Sequence, residues 1–403
     1  MTPGAGASIP TLLFGAFDRH NFGDLLFPHV AAALLPGQHL IFAGLAERDL
    51  RGYGGHRVRS LARLAVELGG QPVNLVHVGG ELLTCDAWQA AIMLLPPEEA
   101  QATIRHFERR PAEQPAWLRE RLGLTSLAPY TIPRSLFPKA ARVTYNAVGG
   151  VDLLSRDAAL RAEVAANLQA ADEVNVRDRQ TLAGLRALAI PARLVPDSAV
   201  MVAKLFGKRI REHAEYGEVG AIRHAFPRGY LAIQFSADFG DDATLAAIAD
   251  QLDQVAMSTG HAVVFFRAGA APWHDDLACY RRTASRMRAQ SIGVFESLDI
   301  WDICALIAHS QSYCGSSLHG RIVAGAFALP RVSLLHPSLA GQPAKQTAYA
   351  ATWEPTDLHA LVAASSMAEG RAQALTTDRE RLRGLAGEMV GRYEAGGLKP
   401  AYS

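Results

Sequence analysis

The stretch Tyr313-Cys314-Gly315-Ser316-Ser317-Leu318-His319-Gly320-Arg321 decides the fold class. It reads as a short apolar strand ending at Gly315, a two-serine turn, and a helix beginning near Leu318. Ser316 and Ser317 are good helix caps, and their placement points the positive end of the helix beyond the carboxyl end of the strand. The pattern recurs on either side. Tyr230–Phe235, Ala262–Phe266, Ile292–Phe295 and Arg331–Leu335 are apolar strand candidates. Helical periods at about 242–259, 275–289, 300–309 and 318–328 separate them. Such alternation predicts a parallel sheet covered by helices on both faces.

The first half repeats the design. Strands are expected at Thr11–Gly15, Leu40–Ala43, Val73–Val78, Arg142–Val148 and Glu173–Arg177. Helices are expected at Leu25–Leu35, at 58–68 (where Leu61, Leu64, Ala65 and Leu68 share a face) and near 157–171. The fold class implied is α/β, with two doubly wound, Rossmann-like domains facing a cleft, the GT-B-like arrangement. The expected division is an N-terminal domain at 1–203, a charged linker at 204–228, a C-terminal domain at 229–356 and a helical segment at 357–403 that packs back on the first domain. A Pro- and Arg-rich stretch near 96–139 interrupts the rhythm of the first domain. It reads either as a solvated surface excursion or as a basic lid over an anionic ligand.

Composition narrows the possibilities. Apolar residues make up 49% of the 403 and charged residues 20%, which suits a folded globular chain with more than one core. A formal net charge of +1 offers no global field for nucleic acid. The four cysteines, Cys85, Cys279, Cys304 and Cys314, lack CxxC spacing, so neither a zinc site nor a disulfide framework is expected. Free thiols and the absence of a signal-like start or a long apolar run point to a cytoplasmic protein that meets any membrane-linked partner from the inner face.

Three further turns join the first at the expected cleft. Asn21-Phe22-Gly23-Asp24 follows the first strand, with Gly23 permitting a tight bend and Asp24 able to cap the next helix. Capping accounts for Asp24 and leaves Asn21 unexplained. Gly79 and Gly80 close the strand Val73–Val78 and allow a ligand close to the backbone, although glycine at such turns is common for steric reasons alone. Arg177 ends an apolar strand, an arrangement that fits either bidentate binding of an anion or an Arg–Asp pair with Asp178. At the fourth turn, His319 stands in the first turn of its helix, where a neutral imidazole is suited to proton transfer. Cys314 lies within a buried-looking strand and is a poor nucleophile candidate.

These turns, in this order, resemble the polysaccharide pyruvyl transferase family. The resemblance rests on an NxGD turn (Asn21–Asp24), a Gly-Gly turn (Gly79-Gly80), Val176-Arg177-Asp178, Pro196-Asp197-Ser198-Ala199 and, most specifically, Ser317-Leu318-His319-Gly320. Lys345 also fits, and the likeness runs from about Thr11 to Thr352. It implies transfer of a pyruvyl group from phosphoenolpyruvate to hydroxyls of a saccharide, giving a pyruvate ketal in exopolysaccharide or cell-surface glycan biosynthesis. It further implies that Arg177 and His319 bind or act on phosphoenolpyruvate; the chemistry itself makes His319 the general acid–base and offers Asp24 as a second catalytic candidate, to bind or deprotonate the acceptor. Donor binding would fall to Arg177, Ser316, Ser317, Leu318, Arg321 and Lys345. The acceptor side or cleft would comprise Asn21, Gly23, Gly79, Gly80 and Asp197. Phosphoenolpyruvate and a saccharide, free or lipid-linked, are the expected partners, with no metal, no cofactor and no nucleic acid. One departure is Ser317, where many members carry Arg, and Arg321 or Lys345 is the expected replacement. Two alternatives stand beside this reading. One is a nucleotide-sugar glycosyltransferase of the same architecture, against which the lack of any Glu or Asp between His319 and Leu329 argues. The other is a catalytically degenerate binding protein of glycan assembly.

Overall fold

The computed structural model describes residues 9–336 and 344–399. The first sheet contains β1 (Thr11–Phe14), β2 (Leu40–Gly44), β3 (Arg48–Asp49), β4 (Arg57–Ser60), β5 (Val73–His77), β6 (Ala140–Val148), β7 (Glu173–Val176) and β8 (Arg193–Leu194). Their spatial order is β3-β4-β2-β1-β5-β6-β7-β8, parallel throughout except for the β3–β4 pair. The second sheet contains β9 (Tyr230–Gln234), β10 (Ala262–Phe265), β11 (Ile292–Val294), β12 (Ser312–Gly315), β13 (Arg331–Leu335) and β14 (Leu361–Ala363). Its order is β11-β10-β9-β12-β13-β14, all parallel. The expected α/β class with two parallel sheets is therefore observed.

In each sheet the chain winds outward in one direction, then returns to the centre and winds outward in the other. The reversal falls between β1 and β5 in the first sheet and between β9 and β12 in the second. Loops diverge at such a switch point, opening a crevice beyond the carboxyl ends of the strands. The strands themselves are buried on both faces: Leu12, Leu13 and Phe14 of β1 and Tyr230, Leu231, Ala232 and Ile233 of β9 are all nearly or fully inaccessible. This double burial is why they read as continuous apolar runs rather than as alternating patterns.

Three local expectations need correction. The helix expected over 58–68 begins as β4, and only Leu61–Leu68 is helical. β4 pairs with β2 on one side and with the short edge strand β3 on the other, and of its residues Arg57–Ser60 only Val58 is buried. The closing segment, expected to be helical from Leu358, first contributes β14 to the edge of the second sheet before the helices Met367–Ala374 and Arg379–Gly396. The charged stretch expected as linker is itself helical, at Val202–His213 and Gly217–Ala225.

The two sheets do not meet only at a rim. A single apolar cluster runs from Leu13, Phe22 and Phe27 beside the first sheet to Tyr230, Trp301 and Tyr313 beside the second, and takes in Tyr393 from the last helix. Tyr393 Oη also donates to Asn146 Oδ1 of β6 at 3.1 Å. The region 96–139 forms the helices Pro97–Arg109 and Gln114–Leu122 between β5 and β6. Three of its arginines turn to local partners, Arg121 to Leu94 O, Arg110 to Glu113, and Arg134 to Ala170 O and Asp172, and Arg105, Arg109 and Arg119 are exposed. Those contacts fit the surface-excursion reading.

Candidate active site

The loops at both switch points converge on one cleft of about 490 Å³. The first sheet contributes Asn21 and Asp24 after β1 and Glu81 after β5, with Arg177 after β7. The second contributes Gln234 at the end of β9 and Ser236 just after it, and Ser316, Ser317, Leu318 and His319 after β12. Lys345 and Gln346, at the start of the helix Lys345–Trp353, complete that side. Connections between the two sides hold this arrangement. Phe22 N–H donates to Ala268 O at 2.8 Å, His20 takes Ala270 N–H on Nδ1 at 3.2 Å, and His20 Nε2 donates to Leu298 O at 2.8 Å.

At the β1 turn, the roles of two residues are exchanged relative to expectation. Asn21, not Asp24, caps the helix Phe22–Leu34, its Oδ1 accepting from Gly23 N–H. Asp24 sits in the first turn, buried, with its carboxylate toward the cleft. Gly23 is set by contact: a Cβ there would lie 2.0 Å from Nδ1 of His319. The ring of His319, carried by the other sheet, therefore rests directly on the backbone of this helix. Phe27 and Phe22 flank it edge-on at 5.1 and 6.5 Å.

His319 Nε2 faces Asp197 Oδ2 at 3.6 Å, beyond hydrogen-bond distance, and has no bonded partner among the described residues. Asp197 is fully buried, contrary to its expected place in the cleft lining. It caps the short turn Ser198–Met201 through Ala199 N–H at 3.0 Å and accepts from Arg177 Nη1 at 3.0 Å. Burial works against its charge, but the facing His319 ring and the Arg177 guanidinium outweigh burial and hold the carboxyl below its usual value. Arg177 extends the chain: its Nη2 donates to Glu81 Oε2 at 2.5 Å, and Glu81 Oε1 accepts from Val151 N–H. Burial disfavours the guanidinium charge, and Glu81 and Asp197 reverse that. The result is a line from both sheets that starts at the half-buried Glu81 and runs through the buried Arg177, Asp197 and His319. Arg177 borders the cleft, but its two terminal nitrogens are engaged by carboxylates rather than left open. The partner is not Asp178, which caps the following helix through Thr181 N–H.

The β12 turn forms as the sequence suggests. Ser317 caps the helix Leu318–Ala326, its Oγ accepting from Gly320 N–H. Ser316 Oγ accepts from Ser236 N–H, and Ser317 N–H donates to Gln234 Oε1 at 2.8 Å. Leu318 and His319 N–H groups are left without an acceptor among the described residues. Gln234 is held in turn by Asp275 Oδ1 at 2.8 Å, and burial pushes the Asp275 carboxyl up to about 7.

Arg321 does not reach the cleft. It is fully buried on the far side of its helix, bonded to Glu354, Ser333 Oγ and Leu358 O, and Arg331 shares the same Glu354 at 2.9 Å. One turn into the helix, position 321 points into the second sheet's flank, a geometry that its spacing from His319 did not reveal. Gly79 and Gly80 also stay out of the lining. Their φ angles of 131° and 99°, and the Phe27 ring 3.0 Å from a would-be Cβ on Gly79, give a steric reason for both. Cys314 is buried, its thiol pushed up to about 12 by burial, which leaves it no nucleophilic role.

The sequence reading passed over several residues that line the cleft. Glu81 was adjacent to the Gly-Gly turn, and a carboxylate following a strand end was the available signal. Gln234 ends β9, where nothing in its apolar run marked it, and Arg19, His274 and Asp275 come from loops with no recognisable pattern. Among the described residues, His213, Asp299 and Asp302 form a group whose possible ligand atoms lie within 4.8 Å of one another. They are mutually satisfied: His213 Nδ1 bonds Asp302 Oδ1 at 2.6 Å, Ser297 donates to Asp302, and Asp299 caps the next helix.

Residues 151–337 match the polysaccharide pyruvyl transferase family. The matched stretch carries Arg177, Asp197, Ser317 and His319, four of the positions on which the sequence resemblance rests. No curated protein matches the chain. Among solved structures, the UDP-GlcNAc 2-epimerase from Neisseria meningitidis aligns with a TM-score of 0.51 at 12% identity, covering 94% of this chain and 93% of that one. The UDP-GlcNAc 2-epimerase from Methanocaldococcus jannaschii gives 0.51 at 10% identity, covering 96% and 99%. At such identity these likenesses establish the GT-B architecture over nearly the whole chain and nothing about substrate.

Proposed function

We propose that the protein transfers a pyruvyl group from phosphoenolpyruvate to two hydroxyls of a saccharide. The observation that carries the proposal is the position of His319. Within the stretch matched by the pyruvyl transferase family, the structure sets an imidazole at the cleft, against a buried carboxylate and beside a helix start with unpaired N–H groups.

The chemistry assigns a task to each group. A sugar hydroxyl adds to C2 of the enol phosphate while C3 takes up a proton, and His319 moves that proton. A second hydroxyl then attacks C2, the C2–O bond to phosphate breaks with its electron pair, and inorganic phosphate leaves as the ketal closes. Developing charge on phosphate is met by Lys345 and by the N–H groups of Leu318 and His319. Asp197 sets a carboxylate facing the ring of His319, with Arg177 and Glu81 holding Asp197 in place. Asp24 is the carboxylate available to an acceptor hydroxyl. Arg321 takes no part, because its guanidinium is committed to Glu354.

The test is consumption of phosphoenolpyruvate with release of phosphate in the presence of a pool of acceptor glycans. His319→Ala should lower turnover by roughly 10² or more in the folded protein, with the melting temperature read alongside because the ring packs against Phe22 and Phe27. Phosphoenolpyruvate should raise the melting temperature, whereas nucleoside diphosphate sugars at equal concentration should not. Ser317→Asp, which still caps the helix but adds a negative charge there, should abolish that shift. A larger shift with a nucleotide sugar would replace this reading with a glycosyltransferase.

A further inference from the structure

Arg19 is the buried cation that the mechanism above leaves unused. It follows β1, lines the half of the cleft that belongs to the first sheet, and its side chain is only 9% exposed. Nη1 donates to Tyr130 Oη, whose ring lies 5.2 Å from the guanidinium carbon. Tyr130 Oη donates onward to Asp18 Oδ1 at 3.2 Å. Asp18 is no full counter-charge. Its other oxygen already takes Leu45 and Ala46 N–H groups, it stands 3.7 Å from Arg19, and burial raises its carboxyl above the usual value.

The opposite edge of the guanidinium is what matters. Nε is buried with no hydrogen-bond partner, and Nη2 makes none among the described residues. These two nitrogens are the side-on fork that binds a carboxylate or phosphate through two parallel N–H bonds. The other arginines at the cleft differ. Arg177 is held by Glu81 and Asp197, and Arg156, whose Nε also lacks a hydrogen-bond partner, has its counter-charge in Asp152 at 3.0 Å. A buried guanidinium with an unpaired fork is costly to maintain unless something fills it. Asp24 lies in the same part of the cleft and favours the charge on Arg19 without pairing with it.

We infer that Arg19 binds an anionic group of the saccharide acceptor, a carboxylate or a phosphate, and so selects acidic or phosphorylated sugars over neutral ones. The inference rests on the pyruvyl-transfer reading only in giving the acceptor the part of the cleft built by the first sheet and the donor the part built by the second, with Lys345 and the Ser317–Leu318 helix start. An acceptor anion on Arg19 would bring neighbouring hydroxyls toward Asp24, and from there toward the donor beside His319.

The experiment compares glucuronate, glucose 1-phosphate and glucose as probes by titration calorimetry, in the wild type, Arg19→Lys and Tyr130→Phe, with phosphoenolpyruvate affinity measured alongside. The wild type should bind at least one charged sugar more tightly than glucose, and which one is preferred names the group. Arg19→Lys should weaken that sugar by roughly tenfold or more, with glucose and phosphoenolpyruvate little changed, because a fork becomes a point charge. Tyr130→Phe removes the hydrogen bond from Nη1 but keeps the fork, and should retain the preference. Melting temperatures separate lost binding from lost folding. Equal affinity for all three sugars in the wild type overturns the inference. So does a folded Arg19→Lys that keeps the preference, or one that loses phosphoenolpyruvate instead. If phosphoenolpyruvate neither binds nor is consumed while the charged sugar still needs Arg19, pyruvyl transfer falls and the assignment of Arg19 stands.

Discussion

Two buried charge clusters hold opposite balances. Around Arg177, one guanidinium meets two carboxylates, Glu81 and Asp197, and the surplus negative charge faces His319. Around Glu354, one carboxylate meets two guanidiniums, Arg321 and Arg331, whose other hydrogen bonds among the described residues go to Ser333 Oγ, Leu358 O and Leu329 O, none of them in the cleft lining. Both arginines, 177 and 321, looked like donor ligands in the sequence. The difference shows that a buried arginine is read by what its partners face. The first cluster presents a carboxylate to a ring at the cleft. The second ties the helix Leu318–Ala326 to β13 and to the loop after Trp353, and its carboxyl is driven down to about 2: burial opposes the charge, and Arg331 and Arg321 overcome it.

The comparison can be broken most forcefully at Glu354. Glu354→Ala leaves two buried guanidiniums without a counter-charge and should cost about 3–5 kcal/mol of stability, read by urea denaturation. If the folded fraction still gives its full melting shift with phosphoenolpyruvate, the cluster is structural as described. A variant as stable as the wild type would remove the contrast altogether.

Asp197→Asn comes next. It keeps the shape and the cap but takes away the charge facing His319. Turnover should fall by roughly 10², equivalent to about 2.7 kcal/mol, while phosphoenolpyruvate affinity changes little. A fall in affinity with unchanged turnover would instead move Asp197 to substrate binding.

A matched pair, Arg177→Lys and Arg321→Lys, sharpens the distinction at a smaller scale. Each replaces a fork that serves several acceptors with a point charge and should cost about 1–3 kcal/mol of stability. Only Arg177→Lys should also slow turnover in the folded protein, since only its partner reaches His319. Equal losses of activity would show that the two clusters act alike.

The smallest effects are the pH slopes, at most about 1.4 kcal/mol per pH unit for one group. Glu354 titrates near 2 in the folded protein against an ordinary 4.5, so the unfolded chain binds more protons between those values. Its contribution is full above about 4.5 and is lost as pH falls toward 2. Asp275 runs the other way. Burial lifts it from 3.8 to about 7, the folded protein holds the extra proton, and stability declines as pH rises through that window. Asp275→Asn should flatten the slope between pH 4 and 7, whatever its effect on baseline stability, in ligand-free denaturation curves. An unchanged slope would mean that the carboxyl is ionised in the cleft.

The local signals in the sequence were sufficient where a structure depends on neighbours along the chain. The apolar runs of β1, β5, β9 and β12, the serine cap at Ser317 and the strand–turn–helix order were all legible, because backbone sterics and capping act over a few residues. From them followed the two parallel sheets and the place of His319 at a switch point. Short strands at or next to a sheet edge, such as β3, β4 and β14, were not legible, since their pairing partners, rather than their own residues, make them strands. Nor could the sequence separate Asp24 from Asn21 as the cap, when both are able to do it. The tertiary structure alone decided where the charges go. It buried Asp197 beneath His319, gave Glu81 to Arg177, turned Arg321 away to Glu354 and left the fork of Arg19 open. The energy of a buried charge depends on the partner that folding brings within about 4 Å, and that partner can come from anywhere in the chain.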